Sequence, residues 1–126
     1  MGYGRWLIKD DTMRIWDEKL IPYLCDIHLR SMWHEGWTIY SVITNNLKGW
    51  RNHPQTLVFE NCPEKLWHIL YLVRKEMLSR GFNPMKMKKR VCYGGNVEEW
   101  QTLEEQIEIL KSKKCKCKIE FFDYQN

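Results

Sequence analysis

At 126 residues the chain suits one domain, long enough to bury a core without staples, and its length argues against a second. A formal charge of +4 and an isoelectric point near 8.8 admit a polyanionic partner without demanding one. Five irregularly placed cysteines behind no secretory signal argue against a disulfide framework, and no apolar run approaches ~18 residues, so a soluble, intracellular protein without a membrane span is expected.

Residues 1–12 carry no periodicity, and Asp10-Asp11-Thr12 is a polar break before Met13-Arg14-Ile15-Trp16, so these twelve residues read as an appendage. From Pro22, which suits a first helical turn, Leu24, Ile27, His28, Ser31 and Glu35 recur at helical spacing up to Gly36, expected to end or bend the helix. His28 and Glu35 share a face, ~10 Å apart along the axis. Tyr40, Ile43 and Leu47 continue the pattern, and Asn45-Asn46 with Lys48-Gly49 marks its end. Gly49-Trp50-Arg51-Asn52-His53-Pro54 is a loop whose side chains can stack, donate or accept.

A second helix starts at Pro63-Glu64, buries Leu66, Ile69, Leu70, Val73 and Met77, and stops at Gly81 with Pro84. Residues 82–100 are irregular, with a turn at Gly94-Gly95-Asn96. A third helix opens with a capping box of Thr102 and Glu105 and buries Leu103, Ile107 and Leu110. The tail from Cys117 to Tyr124 is expected to be a short extended segment.

Charge is laid out in blocks: Lys86, Lys88, Lys89 and Arg90; then Glu98 to Glu108; then Lys111 to Lys118. Seven Trp, six Tyr and four Phe can fill a core or stack on bases; for Trp37 and Trp50 packing is favoured over stacking. Cys25-x-x-His28 and Cys115-Lys116-Cys117 hold four soft ligands, but neither pair has zinc-ribbon spacing, so no metal site is expected.

The chain start Met13-Arg14-Ile15, His28-Leu29 and Trp33-His34-Glu35 on the first long helix, His53 and Phe59 in the central loop, and Glu76-Met77-Leu78-Ser79-Arg80-Gly81-Phe82-Asn83 resemble, in order and spacing, the pyrimidine-dimer DNA glycosylases of the phage endonuclease V type. The likeness is closest over 13–84. It extends, as a bacterial or viral branch, over a glycosylase-like domain at 13–119, leaving 120–126 as a tail.

The resemblance implies an all-α fold, a compact bundle of three main helices with long irregular loops, in agreement with the three helical patterns. It implies a monomer acting on double-stranded DNA with damaged bases, in the cytoplasm at the nucleoid or inside a host cell, with no cofactor or metal. It also implies glycosylase action followed by lyase cleavage: an α-amine at the chain start attacks C1′, a Schiff base forms, and β-elimination breaks the strand.

Breaking an N-glycosidic bond builds positive charge on the sugar, which calls for a carboxylate near C1′, and Glu35 is the candidate. An α-amine has an intrinsic pKa of ~7.7–8.0, so roughly a tenth is nucleophilic at neutral pH. Met13 supplies that amine if the chain starts there. Alternatively the extension returns its own amine to the site, or lyase chemistry is lost and water or Lys19 acts instead. Candidate DNA contacts are Arg14, His28, Arg30, His34, Lys48, Arg51, Asn52, His53, Lys88, Lys89 and Arg90. His34 stands where the phage enzymes carry arginine, with fewer donors and a pH-dependent charge. The alternative reading is a non-enzymatic nucleic-acid-binding module on the same scaffold.

Overall fold

The computed structural model describes residues 14–98 and 101–122; Met13 and the preceding residues lie outside them, so the expectations placed on Met13 and on the 1–12 appendage do too. The described residues form four α-helices: α1 (Asp26–Thr44), α2 (Pro54–Phe59), α3 (Pro63–Ser79) and α4 (Leu103–Ser112). Two 3-10 turns flank them, at Glu18–Tyr23 and Ile119–Phe121, and the described residues contain no strand. The expected bundle of three main helices with long loops is what forms, with α1, α3 and α4 as the long members. No helix among the described residues is long and apolar enough to cross a membrane.

The central helix, α1, packs most extensively on α3. Its buried row is Leu29, Met32, Trp33, Gly36, Trp37, Tyr40 and Ile43, with Ile39 and Val42 widening the buried face. This row is rotated from the one read in the sequence. Ile27 is 75% exposed, while His28, Ser31 and Glu35 lie half-buried along its border. Pro22 sits inside the first 3-10 turn instead of opening α1, which begins at Asp26 behind Cys25 as N-cap.

Gly36 neither ends nor bends α1. It lets α1 approach α3 closely, because a Cβ at this position would collide with the Leu70 side chain, itself fully buried. The helix stops at Asn45, and Asn46 takes a left-handed φ of 52°.

The stripe of α3 is buried as its periodicity predicts, and Gly81 turns the chain at a φ of 88°. The Thr102–Glu105 capping box forms, with Ile107 and Leu110 buried and Leu103 half-buried. Two elements differ from expectation. Residues 54–59, taken with the central loop, form α2, because His53 caps them: its Nδ1 accepts the Gln55 N–H at 3.1 Å. The tail expected to be extended turns instead as a 3-10 segment that buries Ile119, while Lys118 N–H donates to the Tyr23 carbonyl at 2.7 Å. Its residues 123–126 lie outside the described ones.

Residues 82–98 run back across the bundle without regular structure. Main-chain groups here bond to side chains rather than to a ladder: Tyr40 OH donates to the Lys89 carbonyl at 2.6 Å and accepts the Val91 N–H at 2.7 Å. Trp67 Nε1 donates to the Lys88 carbonyl at 2.7 Å. The basic cluster is thereby pinned along α1 and α3.

Candidate active site

Glu35 lies at mid-helix on α1, half-buried, and its Oε2 accepts the main-chain N–H of Arg14 at 3.1 Å. Burial pushes the Glu35 carboxyl above the ordinary carboxylate range, and the hydrogen bond and charge of Arg14 offset only part of that rise. A half-buried carboxyl in this position can exchange a proton or stabilise positive charge.

Arg14 is buried. Its guanidinium lies over the Trp16 ring at 4.9 Å from the centroid and donates to Gln101 Oε1. The next residue, Ile15, donates its N–H to Gln55 Oε1, and Asp17 N–H donates to Gln106 Oε1 at 2.7 Å. Three glutamines, on α2, on α4 and just ahead of α4, therefore hold the segment whose Arg14 N–H reaches Glu35. Sequence reading missed all three, since an isolated glutamine beside apolar residues has no periodic signature. The signal available for Gln55 and Gln106 was their position among core residues of α2 and α4.

His53 completes this centre. Burial, then the Arg14 charge, hold its imidazole below the ordinary value. Because Nδ1 accepts from Gln55, the neutral ring carries its proton on Nε2, which is buried and has no partner among the described residues. The Trp50 ring meets His53 edge-on at 5.3 Å. Trp50, at a left-handed φ of 63° and 53% exposed, belongs to the rim of a second feature.

That feature is a hollow of about 390 Å³ lined by His34, Trp37, Ser41, Leu47, Trp50 and Lys88, among others. Lys88 Nζ donates to Ser41 Oγ at 3.1 Å and stands 5.8 Å from the Trp37 ring. The two tryptophans thus divide their roles: Trp37 is core, packed edge-on against Trp33 and Tyr40, while Trp50 presents its ring outward.

The remaining candidates scatter. Lys48 and Asn52 are exposed on the loop after α1, and Arg51 Nη1 lies 3.4 Å from the Val42 carbonyl, which ties the loop back to that helix. The Lys89 side chain is exposed, and Arg90 stacks toward Trp67 at 5.9 Å. At the far end of α1, His28 and Arg30 border a groove of about 960 Å³ that Glu35 does not line. Arg30 covers the Phe82 ring at 4.9 Å. His28 turns Nδ1 toward the sulfurs of Cys25 and Cys117, at 3.3 and 3.1 Å, and its ring meets Trp16 edge-on at 6.0 Å.

A family model described as pyrimidine dimer DNA glycosylase matches residues 13–90. No curated protein and no solved structure matches the chain.

Proposed function

The chain belongs to the pyrimidine dimer DNA glycosylase family, and from that premise we propose that it excises dimerised pyrimidines from double-stranded DNA and then cuts the strand through a Schiff base to a chain-terminal amine. Membership makes DNA glycosylase the enzyme class and DNA the substrate. The lyase step and the residues below are our reading.

The observation that carries it is the Arg14 N–H on the Glu35 carboxylate at 3.1 Å. Covalent geometry keeps the nitrogen of the preceding residue within ~3.6 Å of Arg14 N along the chain. In a form of the chain beginning at Met13, that nitrogen would be a primary amine, and we read Glu35 as the carboxylate that serves it. The amine attacks C1′; the N–C1′ bond forms as the glycosidic bond breaks, and the base leaves with its electron pair and takes up one proton from the nitrogen. The C1′–O4′ bond then opens as the nitrogen gives its second proton to the ring oxygen, which becomes a hydroxyl, and C1′ becomes the carbon of the imine. Glu35 stabilises the positive charge on the sugar, then removes the C2′ proton, and the 3′ phosphate departs. Water hydrolyses the imine and frees the amine.

Reaching C1′ requires an opened stack, and the outward ring of Trp50 suits a displaced base. Lys88, Lys89, Arg90, Lys48 and Arg51 are our candidates for phosphate contacts, on the strength of their charge and, for Lys88, Lys89, Arg90 and Lys48, their exposure. Borohydride reduction tests the chemistry, with the chain begun at Met1 and at Met13. The Met13 form becomes covalently joined to dimer-containing duplex. Base release without an adduct overturns the amine nucleophile in favour of water; binding with neither product overturns the enzyme reading in favour of a nucleic-acid-binding module.

A further inference from the structure

Cys25, His28, Cys115 and Cys117 offer ligand atoms that all lie within 4.8 Å of one another, and none of the three cysteines is in a disulfide. The sequence shows two pairs about ninety residues apart, neither with zinc-ribbon spacing; the fold closes them into one cluster. We propose that these four side chains form a structural zinc(II) site of the Cys3His type that fastens the C-terminal segment to the start of α1.

Four observations converge on it. The donor set is the soft thiolate and imidazole mixture that zinc takes with tetrahedral geometry. Zinc bound at ~2.3 Å from sulfur and ~2.0–2.1 Å from nitrogen spaces its corner atoms by roughly 3.5–3.8 Å. The observed cluster brackets that range: 3.3 Å from Cys25 Sγ to His28 Nδ1, 3.1 Å from His28 Nδ1 to Cys117 Sγ, and 4.8 Å as the outer limit.

Second, the main-chain N–H of Cys25 donates to Cys117 Sγ at 3.0 Å, an outer hydrogen bond of the kind that stabilises a ligating thiolate. Third, Cys25 is the N-cap of α1, which sets its sulfur at the positive end of the helix, where a thiolate is favoured. Fourth, three thiolates around a divalent ion leave a negative centre, and Lys113, Lys114, Lys116 and Lys118 border the adjoining groove.

Four protein ligands leave no open position, so the ion is structural rather than catalytic. Its place in the fold gives it an effect: the segment after α4 carries the groove lysines, and the zinc joins the Ile119 turn, the Lys118 N–H on the Tyr23 carbonyl and the Tyr23–Phe122 ring contact in fastening that segment to the start of α1. Through the edge contact of His28 with Trp16, the same cluster steadies the ring under Arg14.

The test uses the untagged full chain, purified under reducing conditions and analysed for bound metal. One zinc per chain is expected, retained against a weak chelator. Cobalt(II) in its place should give intense tetrahedral ligand-field bands with thiolate charge transfer. Cys117→Ser and Cys25→Ser should lose stoichiometric metal, whereas Cys62→Ser and Cys92→Ser should keep it. Since a ligand-deleted chain can misfold, Cys115→His is the informative partner: it keeps four ligands, so it should bind cobalt with bands shifted toward a two-sulfur, two-nitrogen set. A reduced, folded chain that takes up no zinc overturns the proposal. So does metal binding that survives both Cys25→Ser and Cys117→Ser, or a cobalt spectrum unchanged by Cys115→His.

Discussion

The Arg14 main-chain N–H and the Glu35 carboxylate meet at 3.1 Å, joining the segment before α1 to the middle of the buried helix. Such a charge-assisted bond contributes about 1.5–3 kcal/mol, yet burial still disfavours the ionised carboxyl. Glu35→Gln keeps an acceptor for Arg14 and removes the charge. Strand cleavage should be abolished while affinity for dimer-containing duplex changes little.

The same substitution has a stability signature with a fixed sign. The native carboxyl titrates above its ordinary value of 4.5, so stability is lost as the pH rises from 4.5 through the native value, and ionised Glu35 opposes folding in full above it. Glu35→Gln should therefore melt higher than the parent at pH 8, and the gain should disappear below pH 4.5, where both states carry a protonated acid. Thermal unfolding followed by circular dichroism across that range measures it. A variant that melts lower at pH 8 would mean the Arg14 attraction outweighs burial.

Gly36 and Leu70 set the spacing of α1 and α3. Gly36→Ala gains about 1 kcal/mol of helix propensity but forces a methyl group into a fully buried leucine, an overpacking cost of about 1–3 kcal/mol. The net expectation is a lower melting temperature, with activity falling further than stability because Glu35 is the adjoining residue. Urea unfolding gives the first quantity and turnover on dimer-containing DNA the second.

What the sequence could and could not disclose follows from the same contacts. α3 and α4 were legible because each buries one narrow stripe and begins with a proline or a capping box. α1 was legible as a helix but not in its rotation. It is buried over more than half its circumference, so apolar periodicity no longer marks a single face, and Gly36 looked like a stop when it is a point of close approach. α2 is six residues long, too short for any period, and depends on a histidine cap that resembles loop chemistry. Glu35 was legible by resemblance. Its partner, the Arg14 main chain, was not, nor were Gln101 and Gln55, which hold Arg14 and Ile15, because those contacts span 21 to 87 residues of sequence. The cysteine and histidine pairs lay out of reach for the same reason, Cys117 following His28 by 89 positions.

Phosphate contacts predict a salt dependence that can be assigned to residues. Lys88→Ala or Arg90→Ala should weaken duplex binding at low salt and reduce the slope of log affinity against log salt by about 1 each. Lys111, engaged with Glu108 at 3.5 Å on α4, serves as the control and should leave the slope unchanged when replaced by alanine. Fluorescence anisotropy over a salt series reads both. A slope unaffected by Lys88 and Arg90 would move the DNA path to the groove bordered by Arg30 and Arg80.

His53 couples the local fold to pH through its cap on α2. Only the neutral imidazole can accept the Gln55 N–H at Nδ1, since protonation turns both ring nitrogens into donors. Burial and the Arg14 charge hold the native group below 6.5, so the neutral form is favoured in the fold; its contribution is present above 6.5 and is lost as the pH drops through the lowered native value. His53→Ala should accordingly cost about 0.5–2 kcal/mol at pH 8, the usual loss for an N-cap, and progressively less below pH 6.5. His53→Asn, which caps without titrating, should restore stability at pH 8 and flatten its dependence between pH 5 and 8. If Asn restores the melting temperature but not strand cleavage, the buried Nε2 proton of His53 serves the substrate as well as the fold.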